Sequence, residues 1–189
     1  MNHRGKLLLL PPNRVWRTYQ GGRHLAALDG DAAPDDTHFP EDWIGSVTRA
    51  INPGRGEIVE GISHVLVGRD PHPKPQPLPE LIASDPTYFL GVEHVAKYGN
   101  NPMLLVKFLD PSIRLHFQVH PTADFARRFL NSPSGKTEAY HILESRPGIE
   151  PYLYLGFQRP PSRAALKRMI ETQDIAGHGD FEDEGLSLL

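Results

Sequence analysis

From Ile113 to His120 apolar and polar residues alternate without a break, with Ile113, Leu115, Phe117 and Val119 set against Arg114, His116, Gln118 and His120. Side chains on a strand point to opposite faces with period two, so the pattern predicts a strand with one greasy face and one polar face. Such a polar face is either wetted by solvent or turned into a small barrel, where polar groups persist when something binds them.

The rest of the chain is punctuated in keeping with this. Its 19 prolines and 17 glycines divide 189 residues into short pieces, which suits strands and irregular loops better than a helical bundle. Further strands are predicted at 60–68, 103–110, 137–144 and 150–157, each bounded by turn residues. Three segments read as helix instead. In 78–90, Pro79 sits where a first turn tolerates it and Asp85-Pro86 starts a second short helix. In 121–130, Thr122 or Asp124 caps a helix carrying Phe125, Phe129 and Leu130, and in 160–173 Ser162 caps an apolar face of Ala165, Leu166, Met169 and Ile170. The proline-rich stretch 68–80 is expected to be an exposed loop, not a central strand. A single domain over 1–173 followed by a flexible acidic tail over 174–189 is the expected organisation.

Composition narrows the function classes. Hydrophobic residues at 39% and charged residues at 23% exclude wholesale disorder. A net charge of −3 leaves no basic footprint for nucleic acid or an anionic membrane, so neither partner is expected. With no cysteine, disulfides and thiolate chemistry are excluded, and any metal must be held by nitrogen and oxygen. Near the N-terminus Leu7 to Leu10 are followed by two prolines, too short a run for a signal peptide, and no stretch approaches the roughly 20 apolar residues of a membrane helix. A cytoplasmic protein is the expectation.

A second alternating stretch begins at Lys136, and period two places Lys136, Glu138 and Tyr140 on one face. If that face meets the one bearing Gln118 and His120, the result is a set of donors for a divalent ion of borderline hardness, zinc first, with manganese or iron as alternatives. Spacing alone leaves open that the two strands are unrelated.

The segments "LLVKFLDPSIRLHFQVHP" (104–121) and "GKTEAYHIL" (135–143) closely resemble the type I phosphomannose isomerase family, zinc-dependent mannose-6-phosphate isomerases built on a cupin barrel. "RVWRTYQGG" (14–22) looks like that family's Trp-Gly-Gly segment and "EDWIGS" (41–46) is similar to its E-x-W segment, so the resemblance covers roughly residues 10 to 157. It implies a mainly β, mixed α+β fold: a cupin-type jelly-roll barrel, incomplete here, with short peripheral helices. It further implies that Gln118, His120 and Glu138 ligate the metal and that Lys136 lies beside the sugar phosphate, where an ammonium would stabilise an enediolate or contact phosphate. The implied reaction interconverts mannose 6-phosphate and fructose 6-phosphate.

Glu41, Lys107, Arg114 and His116 are the expected substrate-binding residues. For Lys107, a phosphate contact and a structural ion pair are equally good readings, and Trp16 and Trp43 read as core or lid. Two departures from the family stand out. His116 replaces a small serine, and the family's fourth ligand, a histidine in a P-x-H-A segment, has no counterpart; His178 lies in a glycine-rich setting without strand context. The expectation that follows is weak metal binding, little or no turnover, and a tendency to self-associate through an open sheet edge. The competing reading is a sugar- or metal-binding cupin derivative without catalysis.

Overall fold

The structure is a computed structural model that describes residue 5 and residues 7–66, 74–116, 118–153, 155–156 and 159–176. The chain forms two compact units, Met1–Val119 and His120–Leu189.

The first unit is built on a three-stranded antiparallel sheet in the order β1 (Arg14–Val15), β2 (Glu41–Ile44), β5 (Val106–Leu109). Glu41 pairs with Leu109, Asp42 with Phe108 and Trp43 with Lys107. Directly paired residues share a face, so Glu41, Trp43 and Lys107 stand together on one side. Val15, Trp43 and Ala50 form a small core on this sheet. Gly61 lies against it at φ +86°, and a Cβ there would come within 2.7 Å of the Trp43 ring and of the Thr48 carbonyl oxygen. Only glycine accepts both that dihedral and that contact.

A second sheet pairs β3 (His64–Leu66) with β4 (Pro75–Pro77). β4 lies within the stretch expected as a loop. Its two prolines donate no hydrogen bonds, so it serves only as one strand of a two-stranded ribbon, the placement that proline permits. The helix α2 (Leu78–Ser84) follows at once and buries Leu78, Leu81 and Ile82 against Val65, with Leu8, Val47, Phe89 and Leu90 around them. Burying side chains of this size stabilises by roughly 1.5–3 kcal/mol each. Short helices α1 (Arg23–Leu28), α3 (Pro86–Leu90) and α4 (Val92–Tyr98) complete the unit. Pro79 and Pro86 each stand in a first helical turn, as expected, while α1 and α4 are additional to the sequence reading.

The second unit holds α5 (Ala123–Phe129) and α6 (Arg163–Ala176). Both expected caps are formed. The Thr122 hydroxyl accepts from the Phe125 amide at 3.2 Å, and the Ser162 hydroxyl accepts from the Ala165 amide at 3.1 Å. α6 runs into the segment expected as tail; residues 177–189, His178 included, lie outside the described residues.

Among the described residues the architecture is mixed, with small antiparallel sheets and no closed barrel. The strands expected at 113–120, 137–144 and 150–157 are not formed there, although β3 and β5 fall inside predicted strands. An extended segment becomes a strand only when a neighbour satisfies its backbone donors and acceptors, and alternation says nothing about where that neighbour comes from. Two residues of the apolar face of the 113–120 stretch are correspondingly uncovered: Ile113 is 55% exposed and Val119 83%. No helix among the described residues is long and apolar enough to cross a membrane.

Candidate functional site

In each unit a cluster of charged side chains is gathered around one carboxylate. In the second unit the cluster starts from a close approach of two backbones. A Cβ on Gly135 would fall 2.5 Å from the Pro121 carbonyl oxygen and 2.7 Å from the Ala123 amide nitrogen. Glycine therefore lets the "GKTE" segment lie against the backbone of residues 121–123, and the Lys136 amide donates to the Pro121 carbonyl at 3.0 Å. Gly135→Ala is expected to force these segments apart and to destabilise by about 1–3 kcal/mol. Hydrogen exchange at the Lys136 amide should then accelerate; unchanged exchange would mean that the contact is not needed.

This contact aligns four side chains. His120 Nε2 lies 3.4 Å from Glu138 Oε2, Lys136 Nζ lies 3.3 Å from Glu138 Oε1, and the Tyr140 hydroxyl donates to Glu138 Oε2 at 2.8 Å. Lys136 Nζ is also 3.1 Å from His120 Nε2. An ammonium has only protons to give, so Nε2 presents its lone pair to Lys136 and cannot at the same time donate to Glu138. Burial raises the Glu138 carboxyl, but the Tyr140 hydroxyl and the Lys136 charge outweigh it and hold the group below the ordinary carboxylate range.

Lys136, Glu138 and Tyr140, grouped by period two, are thus brought together with His120. The donor chemistry fits a zinc-like ion. Two atoms each about 2.0–2.2 Å from a tetrahedral zinc stand about 3.3–3.6 Å apart, and His120 Nε2 and Glu138 Oε2 are separated by 3.4 Å. Gln118 belongs to the first unit, near its end, and is exposed. No group of three or more His, Cys, Asp or Glu suited to a metal occurs among the described residues.

In the first unit the cluster centres on Glu41, which is 2% exposed. Arg17 grips both its oxygens, Nε to Oε1 at 2.9 Å and Nη2 to Oε2 at 3.0 Å. The Tyr19 hydroxyl donates to Oε1, Trp43 Nε1 donates to Oε2 at 2.6 Å, and Lys107 Nζ lies 3.4 Å from Oε2. Burial alone would raise this carboxyl, but the hydrogen bonds from Arg17, Tyr19 and Trp43 and the charge of Lys107 bring it down to about 2. Burial and the neighbouring carboxylate push the Tyr19 phenol up, so it stays a donor.

Three segments singled out in the sequence meet here: Arg17 and Tyr19 from "RVWRTYQGG", Glu41 and Trp43 from "EDWIGS", and Lys107 from "LLVKFLD". The sequence reading named Glu41 and Lys107 and missed Arg17 and Tyr19. Their signal was the period-two run Val15, Arg17, Tyr19, which puts both polar groups on the side of a buried valine. Asp110 was missed as well. Its backbone oxygen accepts from the Gly22 amide at 2.8 Å and its carboxylate accepts from the His24 amide at 2.7 Å, tying β5 to the start of α1. Arg114 and His116 follow β5 and are exposed.

Comparison with known proteins gives a partial likeness. Over 74 residues the chain is 38% identical to the probable mannose-6-phosphate isomerase GmuF of Bacillus subtilis (strain 168), a stretch covering 39% of this chain and 22% of that protein. No family model matches the chain, and no solved structure matches it.

Proposed function

We propose that this chain is a metal-dependent aldose–ketose isomerase that interconverts mannose 6-phosphate and fructose 6-phosphate. The observation that supports this most is the cluster of His120, Lys136, Glu138 and Tyr140 around one carboxylate, with a His–Glu separation suited to zinc. The partial likeness to a probable mannose-6-phosphate isomerase supports the same reading.

His120 and Glu138 would hold the ion. When bound, a zinc-class ion supplies Lewis acidity toward a sugar carbonyl or hydroxyl. Tyr140 holds Glu138 through its hydroxyl and fixes which carboxylate oxygen is engaged. The Lys136 ammonium, 47% exposed, provides the positive charge for the sugar oxygen that becomes negative while a proton moves between C1 and C2. Lys107, Arg114 and His116 are proposed for sugar-phosphate binding. Glu41, with all its oxygens engaged, contributes by fixing Arg17 and Lys107. β5 ends its sheet, and its open edge is the proposed surface for self-association.

A second reading, metal or sugar binding without turnover, is favoured by the absence of a three-membered His, Cys, Asp or Glu group among the described residues. A coupled assay of fructose 6-phosphate formation from mannose 6-phosphate, run on the 189-residue chain with and without added zinc, separates the two. Turnover that is slow but depends on added zinc is the expected result. Stoichiometric zinc binding with no turnover would favour the second reading.

A further inference from the structure

We infer that the Lys136 ammonium is a built-in competitor for the metal position, holding the His120–Glu138 pair until an ion displaces it. The inference rests on the reading of His120 and Glu138 as metal donors, and goes beyond it by giving Lys136 a second partner.

The geometry carries the argument. Lys136 Nζ sits 3.1 Å from His120 Nε2 and 3.3 Å from Glu138 Oε1, so one positive charge is shared between an imidazole nitrogen and a carboxylate oxygen. A zinc-class ion seeks that same pairing of donors. The Nε2 atom has a single lone pair in the ring plane, and in this arrangement the ammonium takes it. A divalent ion on His120 must take that lone pair and would face the ammonium at close range, where like charges repel. Both cannot be held at once.

The release is local. The Lys136 backbone is fixed by its amide bond to Pro121 and by the tight packing of Gly135, so the moving part is the four-carbon stem and its ammonium. With the side chain nearly half exposed, the ammonium has solvent to move into. Once displaced it is a free cation beside the bound ion, suited to an anionic oxygen of a sugar phosphate. Metal binding and the freeing of the substrate-facing charge are then a single exchange.

The test is zinc titration of the full chain against a chromophoric chelator, comparing wild type with Lys136→Met, Lys136→Gln and Lys136→Arg. Removing the competitor should tighten zinc binding by about three- to fivefold in both neutral variants, the scale of an exposed ion pair. Lys136→Arg should stay near wild type. The advantage of the neutral variants should shrink in about 1 M salt, where the screening length falls to about 3 Å. Equal or weaker zinc binding by both neutral variants at low salt, with wild type still binding, would overturn the inference and leave the donor reading standing. No zinc binding by any of the four proteins would overturn both.

Discussion

Replacing Glu41 by glutamine is expected to destabilise the first unit by about 3–5 kcal/mol at neutral pH, because it leaves Arg17 and Lys107 beside a buried position without their shared counter-charge. Glu41 is almost wholly enclosed and accepts from Arg17, Tyr19 and Trp43 while Lys107 stands close by. Its dependence on pH has a definite sign. A carboxyl held at about 2 in the folded state, against an ordinary 4.5, binds its proton more weakly when folded. Its stabilisation is therefore complete above about pH 4.5 and is lost as pH falls toward about 2, amounting to about 3 kcal/mol. Urea unfolding of wild type and Glu41→Gln at a series of pH values would measure this. The gap between the two should be widest near neutrality and close as the solution is acidified. Equal midpoints at neutral pH would show that the Glu41 charge does not stabilise the unit. With total stabilities of about 5–15 kcal/mol typical of domains, a loss of this size would leave a measurable unfolded fraction.

Lys136→Ala is expected to lower kcat for mannose 6-phosphate by about 100- to 1,000-fold, the range found when one group stabilising a developing oxyanion is removed. KM should change less, since the group acts on charge that is greatest in the transition state. Zinc content should not fall, because the donors of His120 and Glu138 are untouched and a competing cation is gone. Steady-state kinetics together with metal analysis of the same preparations would decide it. Loss of zinc in parallel with activity would instead make Lys136 a brace for the two donors.

The two experiments probe different parts of the chain, and the difference reflects how each cluster is made. The Glu41 network is a buried arrangement whose partners come from three separated segments, so its removal registers first as stability. The His120–Glu138 cluster is partly exposed and lies outside the hydrophobic core clusters, so its removal is expected to register as chemistry. Its Lys136–Glu138 contact is a partly solvated ion pair, of the kind that adds at most about 1 kcal/mol to stability.

Sequence alone was sufficient for what local forces decide. The helices α2, α3, α5 and α6 were legible because proline in a first turn, a capping hydroxyl three residues before an amide, and apolar spacing near 3.6 all act within a few residues. Thr122 and Ser162 cap as expected. The grouping of Lys136, Glu138 and Tyr140 was legible too, since period two needs no knowledge of the partner strand. Tertiary structure decided the rest. β1 and β2 were not visible because "RV" is too short for a pattern and "EDWI" begins with two residues poorly suited to strands; they form because β2 finds partners on both sides. The alternating stretch at 113–120 announced a strand that the described residues do not form, because alternation specifies faces while a ladder requires a neighbour. Glu41 was named from sequence, but its four partners, contributed by residues 17, 19, 43 and 107, were settled only by strand register and by the meeting of segments far apart in the chain. Pairing and charge burial are non-local, and their free energy depends on which distant groups arrive together.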